Sequence, residues 1–292
     1  MSYKSGFVNI IGYPNVGKST LMNKFMGEKF SIITPKAQTT RHRIIGILNE
    51  PDYQIVFSDT PGIVKPSYKL HQQMLSYVDS SIQDADILLI VIDVSNDKEF
   101  DPNLVKKINH LEVPKMLLIN KIDLLPQDQV EEKISKWKAL FPNAEGLVIS
   151  ALHKFNTDVL LDRIKELLPE NPPFYGTDDY TDRPMRFFIS EIIREKILYH
   201  YAKEVPYSCE VIVDEYKDEG DLVRIRASIV VERDSQKGIL IGHKGKKLKA
   251  VGIDSRKDME KFIGKQVFLE TFVKVDPDWR NSDQKLKKYG YQ

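Results

Sequence analysis

The chain has 292 residues, 41% of them hydrophobic and 29% charged, with 15 Gly, 15 Pro and a single cysteine. That length suits about two domains, each able to bury its own core, so a small stapled scaffold is excluded, as are disordered and fibrous chains. The net charge of +1 conceals a split: residues 1–168 balance 20 Lys/Arg against 20 Asp/Glu, residues 204–234 carry 4 against 9, and residues 235–292 carry 14 against 7. A polyanion would therefore be drawn to the end of the chain. Cys209 has no partner for a disulfide, and the Cys and His spacing fits no zinc site, which points to a reducing cytoplasm. Met1 to Gly6 does not read as a signal peptide, and the densest apolar run, Ile87 to Ile92, falls far short of the ~20 residues of a bilayer span.

From Phe7 to Leu168, short apolar runs alternate with longer amphipathic stretches, the pattern of a mostly parallel sheet covered by helices. Strands are expected at Phe7–Ile11, Arg43–Leu48, Tyr53–Ser58, Ile87–Asp93, Met116–Ile119 and Gly146–Ile149. Helices are expected at Lys18–Met26, Leu70–Gln83, Asn103–Asn109, Val130–Leu140 and Thr157–Leu167. The turn Asn49–Asp52 is too short for a crossover, so the second and third strands should pair antiparallel. Residues 169–184 hold four prolines, Gly176 and a cluster of Asp and Thr, and read as a linker between domains 1–168 and 185–292. Beyond it come a helix at Phe187–Tyr201, strands at Cys209–Glu215 and Leu222–Glu232, a short helix, a helix at Lys247–Ile263 and a strand at Gln266–Val275.

Gly12-Tyr-Pro-Asn-Val-Gly17-Lys18-Ser19 lies between the first strand and the first helix, the setting a phosphate-binding loop requires. Gly12, Asn15, Val16, Gly17 and Thr20 would offer backbone amides, Lys18 would reach the terminal phosphates and Ser19 would supply a hydroxyl to magnesium. This motif selects a nucleoside triphosphate without saying which, and a small-molecule kinase would satisfy it equally. Asp59-Thr-Pro-Gly62 ends the third strand, where Asp59 can hold the magnesium shell and the Gly62 amide can meet the terminal phosphate. Asn120-Lys121-Ile122-Asp123 ends the fifth strand. The Asp123 carboxylate can accept both the N1 and N2 hydrogens of guanine, a donor pair that adenine lacks. Asn120 would support the loop, Lys121 would lie along the base, and a backbone amide of Ser150-Ala151-Leu152 would meet the guanine carbonyl.

These four motifs, in this order at strand ends, match the small GTPase fold. Thr39 and Thr40 fall where that fold keeps its first switch, with Thr40 the expected magnesium and phosphate sensor; Asp59, Gly62 and Ile63 belong to the second. Ile63 stands where signalling GTPases carry the glutamine that orients water, so a cation, another loop or a partner must do that work. Related GTPases with Pro-Asn-Val-Gly use the asparagine to hold potassium, and by that resemblance Asn15 is the expected ligand.

In the last third, Gly238-Ile239-Leu240-Ile241-Gly242-His243-Lys244-Gly245 precedes a lysine-rich helix start. A Gly-x-x-Gly turn lets backbone approach a nucleotide chain, Lys244, Lys246, Lys247 and Lys249 would neutralise phosphates, and Ile239 and Ile241 would wall the groove. His243 sits within the turn. In its order of elements this half resembles a type II KH domain. The tail Trp279–Tyr289 would either extend the RNA surface or pack on the domain.

A P-loop GTPase domain followed by a type II KH domain, together with Gln38-Thr39-Thr40-Arg41-His42-Arg43, resembles the Era family of bacterial ribosome-assembly GTPases from about Lys4 to Tyr291. The resemblance implies an α/β domain with a six-stranded sheet followed by an α+β domain, and GTP hydrolysis without a glutamine. It further implies GTP or GDP with magnesium and potassium as cofactors, GTP-dependent binding of small-subunit rRNA near its 3′ end, and support of 30S maturation. A monomer is expected, cytoplasmic and in peripheral contact with the inner face of the membrane.

Overall fold

The computed structural model describes residues 2–96 and 98–291. The chain divides into two compact units, one of Met1–Lys65 and Met74–Asp182, the other of Pro66–Gln73 and Arg183–Gln292. In chain order the elements are β1 (Lys4–Ile11), α1 (Lys18–Met26), β2 (Ile44–Asn49), β3 (Tyr53–Asp59), α2 (Lys69–Gln83), β4 (Ile87–Asp93), α3 (Pro102–Asn109), β5 (Lys115–Asn120), α4 (Gln127–Leu140), β6 (Glu145–Val148) and α5 (Thr157–Leu167). These are followed by α6 (Met185–His200), β7 (Glu210–Asp218), β8 (Leu222–Val231), α7 (Asp234–Ile241), α8 (Lys246–Ile263), β9 (Gln266–Val275) and α9 (Asp283–Lys288).

The first sheet runs β2-β3-β1-β4-β5-β6. Only β2 and β3 pair antiparallel, as their short turn requires; the other ladders are parallel. Because successive strand residues point to opposite faces, β4 feeds two cores at once. Ile87, Leu89 and Val91 pack with Leu21, Met22 and Phe25 of α1 and Leu160 and Ile164 of α5. Leu88, Ile90 and Ile92 pack with Val78 and Ile82 of α2, Val105 and Ile108 of α3 and Trp137 of α4. Each of these β4 residues is at most 3% exposed, and full burial of such a side chain contributes about 1.5–3 kcal/mol. The parallel arrangement brings the C-terminal ends of β1, β3, β4, β5 and β6 to one side, where the loops carrying the motifs converge.

Of residues 169–184, which composition presents as a linker, 169–182 are strapped onto the first unit. The Ile47 amide donates to the Tyr180 carbonyl at 2.9 Å, and the Thr181 hydroxyl donates to the Ile45 carbonyl at 2.7 Å, so the outer edge of β2 is covered. The Gln54 side chain accepts from the Phe174 and Tyr175 amides at 2.8 and 3.0 Å and donates to the Tyr175 carbonyl at 2.9 Å. Tyr175 packs against Ile45, Ile47 and Val56, and Phe174 lies against Phe7 with ring centroids 4.9 Å apart.

In the second unit the sheet order is β7-β8-β9, with β7 antiparallel and β9 parallel to β8. The α6 stripe Ile189, Ile193, Ile197 is fully buried with Val223, Ile225, Ala227 and Ile229 of β8 and Val251 and Met259 of α8. The tail packs: Trp279, Leu286 and Tyr291 are at most 2% exposed, and the Trp279 indole donates to the Ser208 carbonyl at 3.0 Å. Of the two roles open to the tail, its large aromatics thus serve the core. No helix among the described residues is long and apolar enough to cross a membrane.

Candidate nucleotide site and nucleic-acid interface

The loop after β1 folds around the Lys18 ammonium, which donates to the Gly12 and Tyr13 carbonyls at 3.1 and 2.9 Å. Gly17 takes φ +102°, and a Cβ there would lie 2.2 Å from the Asn120 side-chain nitrogen, so glycine is required where the phosphate loop meets the base loop. Val16 is buried, and Thr20 is half-buried in the first turn of α1. Burial lowers the Lys18 pKa to about 8, against the pull of the nearby Asp59 charge. A bound triphosphate returns the ammonium toward its ordinary range, so binding takes up a proton above that value. GTP affinity is therefore expected to be flat below about pH 8 and to fall up to tenfold per pH unit above it. Calorimetric titration between about pH 7 and 9 checks this, and Lys18→Arg should flatten the profile.

Three oxygen donors from different elements meet beside Lys18. The Ser19 hydroxyl donates to Asp59 Oδ2 at 2.6 Å and lies 3.0 Å from the Thr40 hydroxyl, which is itself 3.4 Å from the same carboxylate oxygen. Desolvation raises the Asp59 pKa, opposed by the Lys18 charge and the hydroxyl hydrogen bonds. Asp59 Oδ1 is buried with no hydrogen-bond partner. A buried, part-satisfied carboxylate flanked by two hydroxyls is the hard oxygen donor set that magnesium takes, so Ser19, Thr40 and Asp59 fit that ion. Thr39 turns the other way, within its own loop: its hydroxyl donates to the Lys36 carbonyl at 2.6 Å and lies 2.7 Å from that of Thr34.

The Ile63 amide donates to the Gly12 carbonyl at 3.1 Å, and its side chain is buried in the core. Gly62 is held against Pro14, where a Cβ would come within 2.6 Å of the proline nitrogen. Asn15, in the left-handed region at φ 64°, donates its side-chain amide to the Pro35 carbonyl at 2.8 Å and so joins the phosphate loop to the first switch loop. Asn23 of α1 fastens the start of that switch loop, accepting from the Phe30 and Ser31 amides at 2.9 and 2.8 Å. A mid-helix Asn carries no motif signal, and sequence reading missed it.

At the base end, Asn120 donates to the Val16 carbonyl at 2.7 Å and accepts from the Ala151 amide at 2.9 Å. It thereby ties three of the motif loops together. The Ser150 hydroxyl donates to Asp123 Oδ1 at 2.6 Å, and His153 Nε2 lies 3.7 Å from Oδ2. The Ser150 amide donates to the Phe155 carbonyl, so the first two amides of Ser150-Ala151-Leu152 are engaged within the protein. Leu152 is exposed. Lys121 sits at φ 65° and pairs with Asp93 at 2.7 Å. Asp93 was also missed, although it ends an apolar strand as Asp59 and Asn120 do.

In the second unit, Gly242 and Gly245 adopt φ 69° and 75°, with Lys244 at φ 50° between them. The turn joins α7 to α8 and leaves His243, Lys244, Lys246, Lys247 and Lys249 exposed. Of the apolar triplet, Leu240 is fully buried while Ile239 is 43% exposed and Ile241 half-buried, so the outer two are the ones available to a ligand. The Tyr201 hydroxyl donates to the Leu240 carbonyl at 2.5 Å and fixes the end of α7.

Residues 7–121 match the family described as 50S ribosome-binding GTPase, and residues 204–280 match the KH domain family. GTPase Era of Geotalea daltonii is 43% identical over 292 residues, covering 99% of this chain and 98% of that protein. The chain belongs to the Era family of GTPases. Era of Staphylococcus epidermidis is likewise 43% identical, over 291 residues, covering 99% of this chain and 97% of that protein. Two solved Era structures superpose with TM-scores of 0.93 and 0.94 at 39% identity, each covering 99% of both chains. One is an Aquifex aeolicus Era variant bound to GDP·AlF4−, the other an Era bound to MgGDPNP and nucleotides 1506–1542 of 16S rRNA. Membership of the Era family makes the chain a GTPase and removes the kinase alternative.

Proposed function

We propose that this chain is a magnesium-dependent GTP switch that binds the 3′ end of small-subunit rRNA through its KH unit and supports 30S subunit maturation, with nucleotide state setting RNA affinity. One observation carries the reading. The loops that bring Lys18, Ser19, Thr40, Asp59, Asn120 and Asp123 together share a chain with the exposed Gly242–Gly245 turn, and that chain is 39% identical along its length to an Era solved with MgGDPNP and a 16S rRNA segment. Ser19, Thr40 and Asp59 are the proposed magnesium ligands; the ion neutralises phosphate charge. The location proposed is the cytoplasm, in keeping with the single, buried Cys209. Peripheral membrane contact has the basic stretch 235–292 behind it and is tested by flotation with anionic vesicles.

Crosslinking in cells followed by sequencing of the bound RNA tests the target. Wild type should enrich the 3′ end of small-subunit rRNA, and the pair Lys244→Ala, Lys246→Ala should abolish that enrichment. In vitro the same pair should lower the slope of log affinity against log salt by about 1.4, roughly 0.7 for each single-strand phosphate that is no longer neutralised. Enrichment elsewhere would overturn the assignment of the RNA. RNA affinity equal with GTP analogue and GDP would overturn the switch.

With Ile63 in place of a glutamine, Asn15 would hold a potassium ion, and that ion would supply positive charge beside the phosphates. Asn15 already reaches the first switch loop, its side-chain nitrogen donating to the Pro35 carbonyl at 2.8 Å; to hold the cation, its side-chain oxygen would have to turn into that position. Turnover should be at least about tenfold faster in potassium than in sodium, a fraction of what a cationic finger contributes. Asn15→Ala should abolish the difference, and equal rates in the two salts for the wild type would remove potassium from the mechanism.

A further inference from the structure

We infer that Asp93 is a positioning residue for guanine-nucleotide binding that acts by holding Lys121. Asp93 is the last residue of β4 and stands opposite Asn120 in the parallel ladder, where the Val94 amide donates to the Asn120 carbonyl at 3.0 Å. Its carboxylate is itself fixed: Oδ1 accepts from the Ser95 amide at 2.9 Å and the Ser95 hydroxyl at 2.6 Å. Oδ2 is left for the Lys121 ammonium at 2.7 Å. The Asp93 side chain is only 10% exposed, so the pair is screened less than a surface ion pair.

Lys121 needs such a holder for two reasons. Its backbone occupies the left-handed region, which is unfavourable for a residue with a Cβ, and that twist starts the 3-10 turn Ile122–Leu124 bearing Asp123. Its side chain is also long, and ordering it on nucleotide arrival would subtract rotamer entropy from binding. The Asp93 pair imposes that order beforehand. The other two reading residues are held in the same way, Asn120 by Val16 and Ala151 and Asp123 by Ser150. Asp93 thus completes a set in which every residue of Asn120-Lys121-Asp123 has a fixed partner.

Asp93→Asn keeps an acceptor for Ser95 and removes the charge. It should speed dissociation of fluorescent GDP and GTP analogues by about threefold to thirtyfold, within the range for coupled neighbours. KM for GTP should rise while kcat at saturation stays the same, and the preference for guanine over xanthine should be unchanged. Lys121→Met should give an effect of similar size, and the double variant should be no worse than Lys121→Met alone. The melting temperature of the nucleotide-free Asp93→Asn protein should stay within a few degrees of wild type. Unchanged dissociation from Asp93→Asn overturns the inference. Additive effects in the double variant, or a fall in kcat in step with a lowered melting temperature, assign Asp93 to the fold of β4 instead.

Discussion

Asp123→Asn should lower GTP affinity by about three to four orders of magnitude while xanthosine triphosphate gains, as measured by competition against a fluorescent nucleotide. The carboxylate is aimed by the Ser150 hydroxyl at 2.6 Å, so the substitution changes chemistry without loosening geometry. An asparagine still accepts from N1 but sets its amide nitrogen, a donor, against the guanine N2 amino group, whereas xanthine presents a carbonyl there. A site deprived of its matched polar pair discriminates by ~10⁴–10⁵, and the remaining phosphate interactions soften that figure. Retained preference for GTP would mean that the base is read from another part of the pocket.

Lys18→Ala should reduce triphosphate affinity by about a thousandfold, in the upper part of the range for truncating one member of a buried charge pair. Two effects act together. The ammonium that would meet the phosphates is removed, and Asp59, buried with one oxygen unsatisfied, is deprived of the charge that opposes its raised pKa. Nucleotide-free stability should consequently shift far less than affinity, because protonation of Asp59 relieves part of the penalty. The second unit keeps its own core of α6, β8 and α8, so RNA affinity of the nucleotide-free variant should match wild type. Isothermal titration with GTP and with RNA measures both arms on one sample.

Most of the first unit could be read from its residues because its signals are local. The alternation of Ile87 to Ile92 between two cores is a period-two pattern, and the phosphate loop, Asp59 and Asn120 each sit where an apolar run stops. What escaped was set by pairs distant in sequence. Gln54 meets Tyr175 across 121 positions, and Thr181 meets Ile45 across 136, so no window along the chain marks 169–182 as attached. Asp93 and Lys121 are neighbours only because β4 and β5 align in register. The two threonines of the first switch are adjacent and chemically alike. The backbone path, which seats Thr34 beside Thr39 and Ser19 beside Thr40, separates their roles. The tail's aromatics were ambiguous because a Trp or Tyr suits a core and a stacking surface equally; Trp279 is buried with its indole hydrogen satisfied.

The strap over β2 bears on whether the first unit stays monomeric. β2 is the border strand of the six-stranded sheet, and a bare border with Ile45, Ile47 and Val56 behind it would be a template for pairing with another copy. Tyr180 and Thr181 occupy those backbone positions, and Tyr175 shields the apolar patch beneath. A fragment ended at Leu168 should therefore self-associate through that border, whereas one ended at Asp182 should remain monodisperse. Residues that look like a tether are in this sense an aggregation guard, and their proteolytic removal would leave the border of β2 open to pairing with another copy.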